Sequence, residues 1–122
     1  MPLVFLVTKY QLLRHGLKSG RFPQVIPFGG SSPLGVTGFV NASFELKEQI
    51  MKGEIPEPDY IYVASGTMGT AAGLLLGLRA ANLKSQVIPV RVTGQKLVSV
   101  KGMVKLIRKT NSLLHSLDPS FP

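Results

Sequence analysis

The sequence predicts an α/β fold, a partial parallel sheet with flanking helices, and three observations carry that reading. Two runs, Tyr60-Ile61-Tyr62-Val63 and Gln86-Val87-Ile88-Pro89-Val90-Arg91-Val92, are apolar and rich in β-branched residues, as buried strands are. Between them an Ala/Leu-rich segment, Ala71 to about Leu83, reads as a helix. A strand, a helix and a strand in succession form a crossover unit with parallel strands.

Taken in order, residues 1–22 form a leader that periodicity places only in part. Lys9–Arg14 can be the end of a helix closed by Gly16 or Gly20. Gln24-Val25-Ile26-Pro27-Phe28 reads as a first strand, at an edge or ending in a bend because Pro27 lacks a donor. After the loop Gly29–Gly35 begins, Ser32-Pro33 fits a helix start, with serine as N-cap and proline in the first turn. That helix runs to about Lys52. It turns Val36, Phe39, Val40, Ser43 and Ile50 to one side and Glu45, Lys47 and Glu48 to water.

Gly53–Asp59 is a polar, Pro-rich connection into the central strand. In the next helix Gly69, Gly73 and Gly77 recur every four residues and share a face. Interior glycine costs roughly 1 kcal/mol against alanine, so this face is expected to lie close against a sheet or cofactor loop. Asn82 or Lys84 ends the helix. A last helix, about Ser99–Leu117, carries Val100, Met103, Val104, Ile107 and Leu114 on one stripe, widened by Leu106, Leu113 and Leu117, and Asp118-Pro119 stops it. The expected organisation is one partial domain: the leader 1–22, a βαβαβ core over 23–93, and an amphipathic basic helix with its tail over 94–122. Two successive units imply a doubly wound sheet with helices on its faces.

Composition excludes several chemistries. The chain has 122 residues, enough for one domain, and no cysteine, which removes disulfides, thiolate catalysis and cysteine metal sites. Its two histidines, His15 and His115, lie far apart in sequence, and no metal site is expected. No apolar run is long enough to span a bilayer, and no basic segment and cleavage site frame a signal peptide, so a cytoplasmic protein without a membrane partner is expected. The net charge is +8, and no Asp or Glu occurs from Tyr60 to Leu117. Such a field can attract nucleic acid or an anionic cofactor. No nucleic-acid module is visible and the cations are not interleaved with aromatics, so a solvated basic face is favoured.

The loop Ser65-Gly66-Thr67-Met68-Gly69-Thr70 joins the central strand to its helix, an arrangement suited to an anion. Glycines admit close approach, the first-turn N–H groups point outward, and the helix dipole favours negative charge. Ser65, Thr67 and Thr70 can add hydroxyl donors. The same residues also describe a tight βα turn with a threonine cap that binds nothing. The loop is neither a Walker loop, for it lacks Gly-Lys-Ser/Thr, nor a G-x-G-x-x-G fingerprint. The loop Gly29–Gly35 also leaves a strand end, and Ser31 is a candidate contact in a crevice shared by the two loops.

Two stretches, Ile26-Pro27-Phe28-Gly29-Gly30-Ser31-Ser32-Pro33-Leu34-Gly35-Val36-Thr37-Gly38-Phe39-Val40 and Ser65-Gly66-Thr67-Met68-Gly69-Thr70-Ala71-Ala72-Gly73-Leu74, resemble the D-cysteine desulfhydrase and 1-aminocyclopropane-1-carboxylate deaminase group. That group consists of pyridoxal-phosphate-dependent enzymes with the tryptophan synthase β-subunit type of fold, and the resemblance runs from about Tyr10 to Thr93. It implies part of the large domain of such an enzyme, a lyase or deaminase acting on a small amino acid. It also implies a loop, Ser65–Thr70, that holds the cofactor's phosphate through backbone N–H groups and hydroxyls. Met68 stands where the group usually has a small residue.

The resemblance further implies what is missing. The group's aldimine lysine lies in an N-terminal basic motif followed by a Ser-Asn-His type stretch, and neither occurs here. The tyrosine and the pyridine-nitrogen contact come from a C-terminal segment beyond Asp118–Pro122. The expectation is a fragment, or a chain completed by a homo-oligomeric or complementing partner, with no catalytic residue of its own. The alternatives are a non-catalytic interaction module and a basic nucleic-acid binder.

Overall fold

The computed structural model describes residues 2–94 and 98–122. In chain order the elements are α1 (Pro2–Ser19), a 3-10 turn (Phe28–Gly30), α2 (Pro33–Met51), β1 (Tyr60–Ser65), α3 (Gly69–Ala80), β2 (Gln86–Arg91) and α4 (Val100–Leu117). The two strands pair in parallel, in the register Tyr60↔Gln86 through Ser65↔Arg91. This is the expected α/β class, a small parallel sheet with helices.

Helix α3 sits at the centre, packed between the sheet on one side and α2 and α4 on the other. Its sequence explains the position: GTAAGLLLGLRA is apolar nearly all round, and a helix of that kind is buried. Toward the sheet, Ala71 and Leu78 pack with Val87, Ile61 and Val63. Toward the helices, Ala72 packs with Val36 and Val40 of α2, and with Met103, Ile107 and Leu114 of α4 against the same cluster. The glycine face meets α2 at Gly73 and Gly77 and the Gly29–Gly35 loop at Gly69, and does not meet the sheet. A Cβ on Gly73 would lie 2.8 Å from the Val36 carbonyl oxygen, and one on Gly77 would lie 2.7 Å from that of Val40. Only hydrogen fits, so the two helix backbones approach closely.

The ends are set by local chemistry. Ser32 caps α2, its Oγ accepting from the Gly35 N–H at 3.1 Å, with Pro33 in the first turn. Ser99 caps α4 in the same way through Gly102. Asn82 adopts a left-handed conformation just past α3, and the Leu83 N–H reaches back to the Leu78 carbonyl at 2.9 Å. Helix α1 is longer than the sequence suggested and ends before Gly20, whose φ is +68°.

One expectation fails. Gln24–Phe28 is not a strand. It runs as irregular chain into the 3-10 turn, with Val25 and Ile26 exposed. Pro27 removes one backbone donor, and among the described residues the segment pairs with neither free edge of the two-stranded sheet. The βαβαβ core therefore reduces to one βαβ unit preceded by a helix, and the doubly wound arrangement is absent from the described residues. One face of the sheet lies under α3, while Tyr60 and Tyr62 on the other face are exposed. The last helix keeps its predicted bounds but turns slightly: Thr110 is buried, and Val100 stands out in solvent.

Candidate functional site

The carboxyl ends of β1 and β2 lie side by side because the strands are parallel and in register. Three segments meet there: Ser65–Met68 leaving β1, Thr93 beyond β2, and Phe28–Ser32 ahead of α2. They surround a cavity of about 160 Å³ lined by Phe28, Gly29, Gly30, Gly66–Ala71, Phe39 and Thr93, among others. Two wider depressions lie elsewhere, an apolar one between α2 and the end of α4 and a polar one near Glu57 at the opposite end of the sheet. Neither has a helix N-terminus opening into it.

The cavity is built by contacts between the two glycine-rich loops. Ser31 Oγ donates to Thr67 Oγ1 at 2.8 Å. That bond leaves the Thr67 proton free to be donated onward. Thr93 Oγ1 donates to the Gly66 carbonyl at 2.9 Å and tethers the loop to the end of β2. Gly29 has a φ of +66°, and a Cβ there would run into the Thr67 side chain. A Cβ on Gly69 would lie 2.8 Å from Ser31 Oγ. Gly66 is different: a Cβ there would meet only Thr93 Cγ2, at an ordinary 3.6 Å.

Met68 precedes α3 in the left-handed region, with φ 69° and ψ −7°, and provides no side-chain cap. Its thioether turns away and accepts the Ser99 N–H at 3.4 Å, joining the loop to the start of α4. The first helix bond inside α3 runs from the Ala72 N–H to the Met68 carbonyl. The N–H groups of Gly69, Thr70 and Ala71 therefore have no intrahelical acceptor, and the positive end of the helix dipole opens on the cavity. Among the described residues the lining holds no carboxylate to repel an anion and no other titratable side chain. Such a site can bind and orient an oxyanion.

Of the residues singled out in the sequence, Gly66, Thr67, Met68, Gly69 and Thr70 line the cavity together, with Ser31 bonded behind them. Ser65 does not line it. It is buried at the end of β1, its Oγ without a partner. Thr93, Phe28 and Phe39 escaped sequence reasoning. A signal for Thr93 was present, since the end of one parallel strand lies beside the end of its neighbour. Lys84 lies beyond the far end of α3, its N–H bonded to Glu57. Lys47 and Lys52 belong to α2 and its end, Lys101 is exposed on α4, and Lys96 falls outside the described residues. Among the described residues no group of three or more histidines and carboxylates comes together around a metal-sized space.

No family model matches the chain. Individual relatives do. The chain is 36% identical over 100 residues, 82% of its length, to the D-cysteine desulfhydrase of Serratia proteamaculans. It is 40% identical over 74 residues to the D-cysteine desulfhydrase of Klebsiella pneumoniae, covering 61% of this chain. It is 42% identical over 71 residues, 57% of its length, to the bifunctional D-cysteine desulfhydrase/1-aminocyclopropane-1-carboxylate deaminase, mitochondrial, of Arabidopsis thaliana. The matched segments make up 30%, 22% and 18% of those relatives, respectively, so the chain spans less than a third of their length. Identity at this level, across most of a chain that carries both glycine-rich loops, places it in the D-cysteine desulfhydrase and 1-aminocyclopropane-1-carboxylate deaminase family, matching a part of those proteins.

Proposed function

We propose that the chain is the cofactor-anchoring segment of a pyridoxal-phosphate-dependent lyase or deaminase acting on a small amino acid, and that Gly66, Thr67, Met68, Gly69 and Thr70 cradle the cofactor's phosphate, with Ser65 beneath them. The observation that carries this reading is the uncapped start of α3. Its free N–H groups face a cavity that has hydroxyls at Thr67 and Thr70 and, among the described residues, no carboxylate. This donor set suits a phosphate, and the glycines at positions 29 and 69 let the Thr67 and Ser31 side chains pack close against the opposite loop. When bound, pyridoxal phosphate supplies a ring that takes up negative charge from the substrate.

In this reading the chain's residues bind and orient. Backbone N–H groups at Gly69–Ala71 hold the anion, Thr67 adds a hydroxyl donor, and Ser31 and Thr93 fix the loop. No lysine among the described residues lines the cavity, and in this reading the lysine that links the cofactor is supplied by another part of the protein, so that the chain alone does not turn over substrate. The intact protein would take a small amino acid such as D-cysteine or 1-aminocyclopropane-1-carboxylate.

Titration of the labelled chain with inorganic phosphate and with pyridoxal phosphate tests the cradle through amide shifts. Shifts are expected at Gly66–Ala71. Gly66→Val should remove them without unfolding the chain, because the site can hold a Cβ but not the approach of an anion past it. Shifts confined to α4 would show general charge attraction and reject the reading. Borohydride reduction with pyridoxal phosphate, followed by peptide mapping, tests the second half. Scattered, substoichiometric labelling without turnover is expected, and one stoichiometrically labelled lysine whose change to alanine abolishes turnover would overturn it.

A further inference from the structure

Met68 occupies a backbone position that its residue type does not favour. Its φ of 69° lies in the left-handed region, which glycine enters freely and which the short polar side chains of Asn and Asp stabilise locally. Methionine has no such group, and a residue of its kind stays there only where its surroundings hold it. The holding contacts lie on α4. Met68 Sδ accepts the Ser99 N–H at 3.4 Å. A Cβ on Gly102 would lie 3.1 Å from Met68 Cε and 3.7 Å from Sδ, so the thioether methyl rests on the bare Cα in the first turn of α4.

The backbone of Met68 belongs to the anion site. Met68 lines the cavity, and its carbonyl accepts the Ala72 N–H at 2.9 Å, the bond that opens α3. The N–H groups between these two residues, those of Gly69, Thr70 and Ala71, are the donors that face the cavity, and the turn at Met68 sets their direction. On the other side, Ser99 carries the contact inward. Its Oγ accepts the Gly102 N–H at 3.1 Å and its carbonyl accepts the Met103 N–H at 3.0 Å. Met103 packs against both apolar clusters.

We propose, on the reading that this loop cradles a phosphate, that Met68 is a positioning residue coupling the anion site to the docking of α4. The start of α4 holds the Met68 side chain, the side chain holds the left-handed turn, and the turn aims the α3 N–H groups. Coupling of this kind is reciprocal, so an anion in the cavity steadies the start of α4 by the same factor as a docked α4 tightens the anion. Thr93 holds Gly66 from the end of β2, a second brace that does not pass through α4. Loss of the Met68 contacts therefore weakens the cradle without dismantling it. A methionine that only fills a gap would behave differently, because that side chain adapts to irregular space and tolerates the loss of one neighbour.

Titration of the full chain with inorganic phosphate tests the coupling, read by amide shifts at Gly66–Ala71 and by hydrogen exchange at the Met103 amide. Met68→Ala should weaken phosphate binding by about fivefold. Met68→Gln, whose amide oxygen can accept the Ser99 N–H, should stay within about twofold of the parent. Gly102→Val, outside the cavity lining, displaces the Met68 methyl and should also cost about fivefold, with no further loss in the Met68→Ala background. Saturating phosphate should slow exchange at Met103 severalfold in the parent and leave it unchanged in Met68→Ala. The amides of Leu78–Ala80, at the far end of α3, should keep their positions in every variant, which separates a local effect from unfolding. Parental affinity in Met68→Ala, equal losses in Met68→Ala and Met68→Gln, or an undiminished effect of Gly102→Val in the Met68→Ala background overturns the coupling and leaves the cradle standing. A parent chain whose Gly66–Ala71 amides ignore phosphate removes the cradle, and the coupling with it.

Discussion

Alanine at Gly73 and alanine at Gly38 should change stability in opposite directions, although both replace an interior helical glycine by the best helix former. A glycine-to-alanine change in a helix gains roughly 1 kcal/mol when nothing is disturbed. Gly38 in α2 meets that condition, for a Cβ there finds nothing within 4 Å. Gly73 does not. Its Cβ would lie 2.5 Å from Phe39 Cβ, 2.8 Å from the Val36 carbonyl oxygen and 3.2 Å from Val36 Cγ1. The carbonyl belongs to the α2 backbone and cannot swing aside as the tip of a side chain can, so α2 and α3 must separate. Overpacking of this kind costs about 1–3 kcal/mol and occasionally more. Here the obstacle is backbone, which points to the upper part of the range. Net, Gly38→Ala should stabilise by up to about 1 kcal/mol and Gly73→Ala should destabilise by about 1–2 kcal/mol. Urea unfolding followed by circular dichroism reads both. A chain of this size shifts its melting midpoint by about 4 °C per kcal/mol, so the two variants should separate clearly on heating as well. A Gly73→Ala chain as stable as its parent would refute close backbone approach as the reason for the glycine face.

Three further outcomes follow from other parts of the structure. Removing either serine cap, by Ser32→Ala or Ser99→Ala, should cost about 1 kcal/mol in the same unfolding assay, and Asp at either position should restore most of it. The untagged chain should associate at micromolar concentration, because the sheet is covered on one face only and Tyr62 on the other is 71% exposed. A sharp monomer peak on size exclusion would count against that. Asp118 should titrate below the ordinary carboxyl value, since Ser120 bonds it through both its hydroxyl and its backbone N–H. A depressed folded value adds stability that is present above the unfolded value and lost as pH falls through the folded one. An NMR titration should show Ser120→Ala moving it back up.

How far the sequence foretold this structure depends on the range of the interactions. The caps at Ser32 and Ser99 and the β1–α3–β2 order are local, set by neighbours within a few residues, and periodicity and capping rules found them. The five cavity-lining loop residues were found for the same reason. The strand at Gln24–Phe28 was a wrong expectation because an apolar, β-branched run is only a candidate strand until it lies along a partner edge, and here it lies along neither edge of the β1–β2 sheet. The partner of the Gly69-Gly73-Gly77 face was likewise not legible: spacing shows that something comes close, not whether it is a sheet, a loop or another helix. Thr93 and the Met68–Ser99 contact join residues 27 and 31 positions apart, and only the folded chain brings them together.

On the proposed function, the same distinction explains how a chain this short can hold an anion site without the groups that act on the cofactor. Phosphate binding at a helix start needs one strand end, one loop and one helix, all contiguous in sequence, plus a second loop to brace them. A βαβ unit with a preceding helix supplies every part, and here the bracing reduces to two hydroxyl contacts, Ser31 to Thr67 and Thr93 to Gly66. Chemistry on a bound cofactor makes a different demand, for it needs a nucleophile and a ring contact held at the end away from the phosphate, and nothing in a βαβ unit fixes that distance. Helix α3 carries its one strong cation, Arg79, in its last turn, well over 10 Å from the loop at 1.5 Å per residue, so no slippage of the helix register brings a charge from it to the site. In the proposed reading the anchor is therefore separable from the catalyst on geometric grounds. Met68, which uses the left-handed position before α3 to reach Ser99, ties the loop to the start of α4.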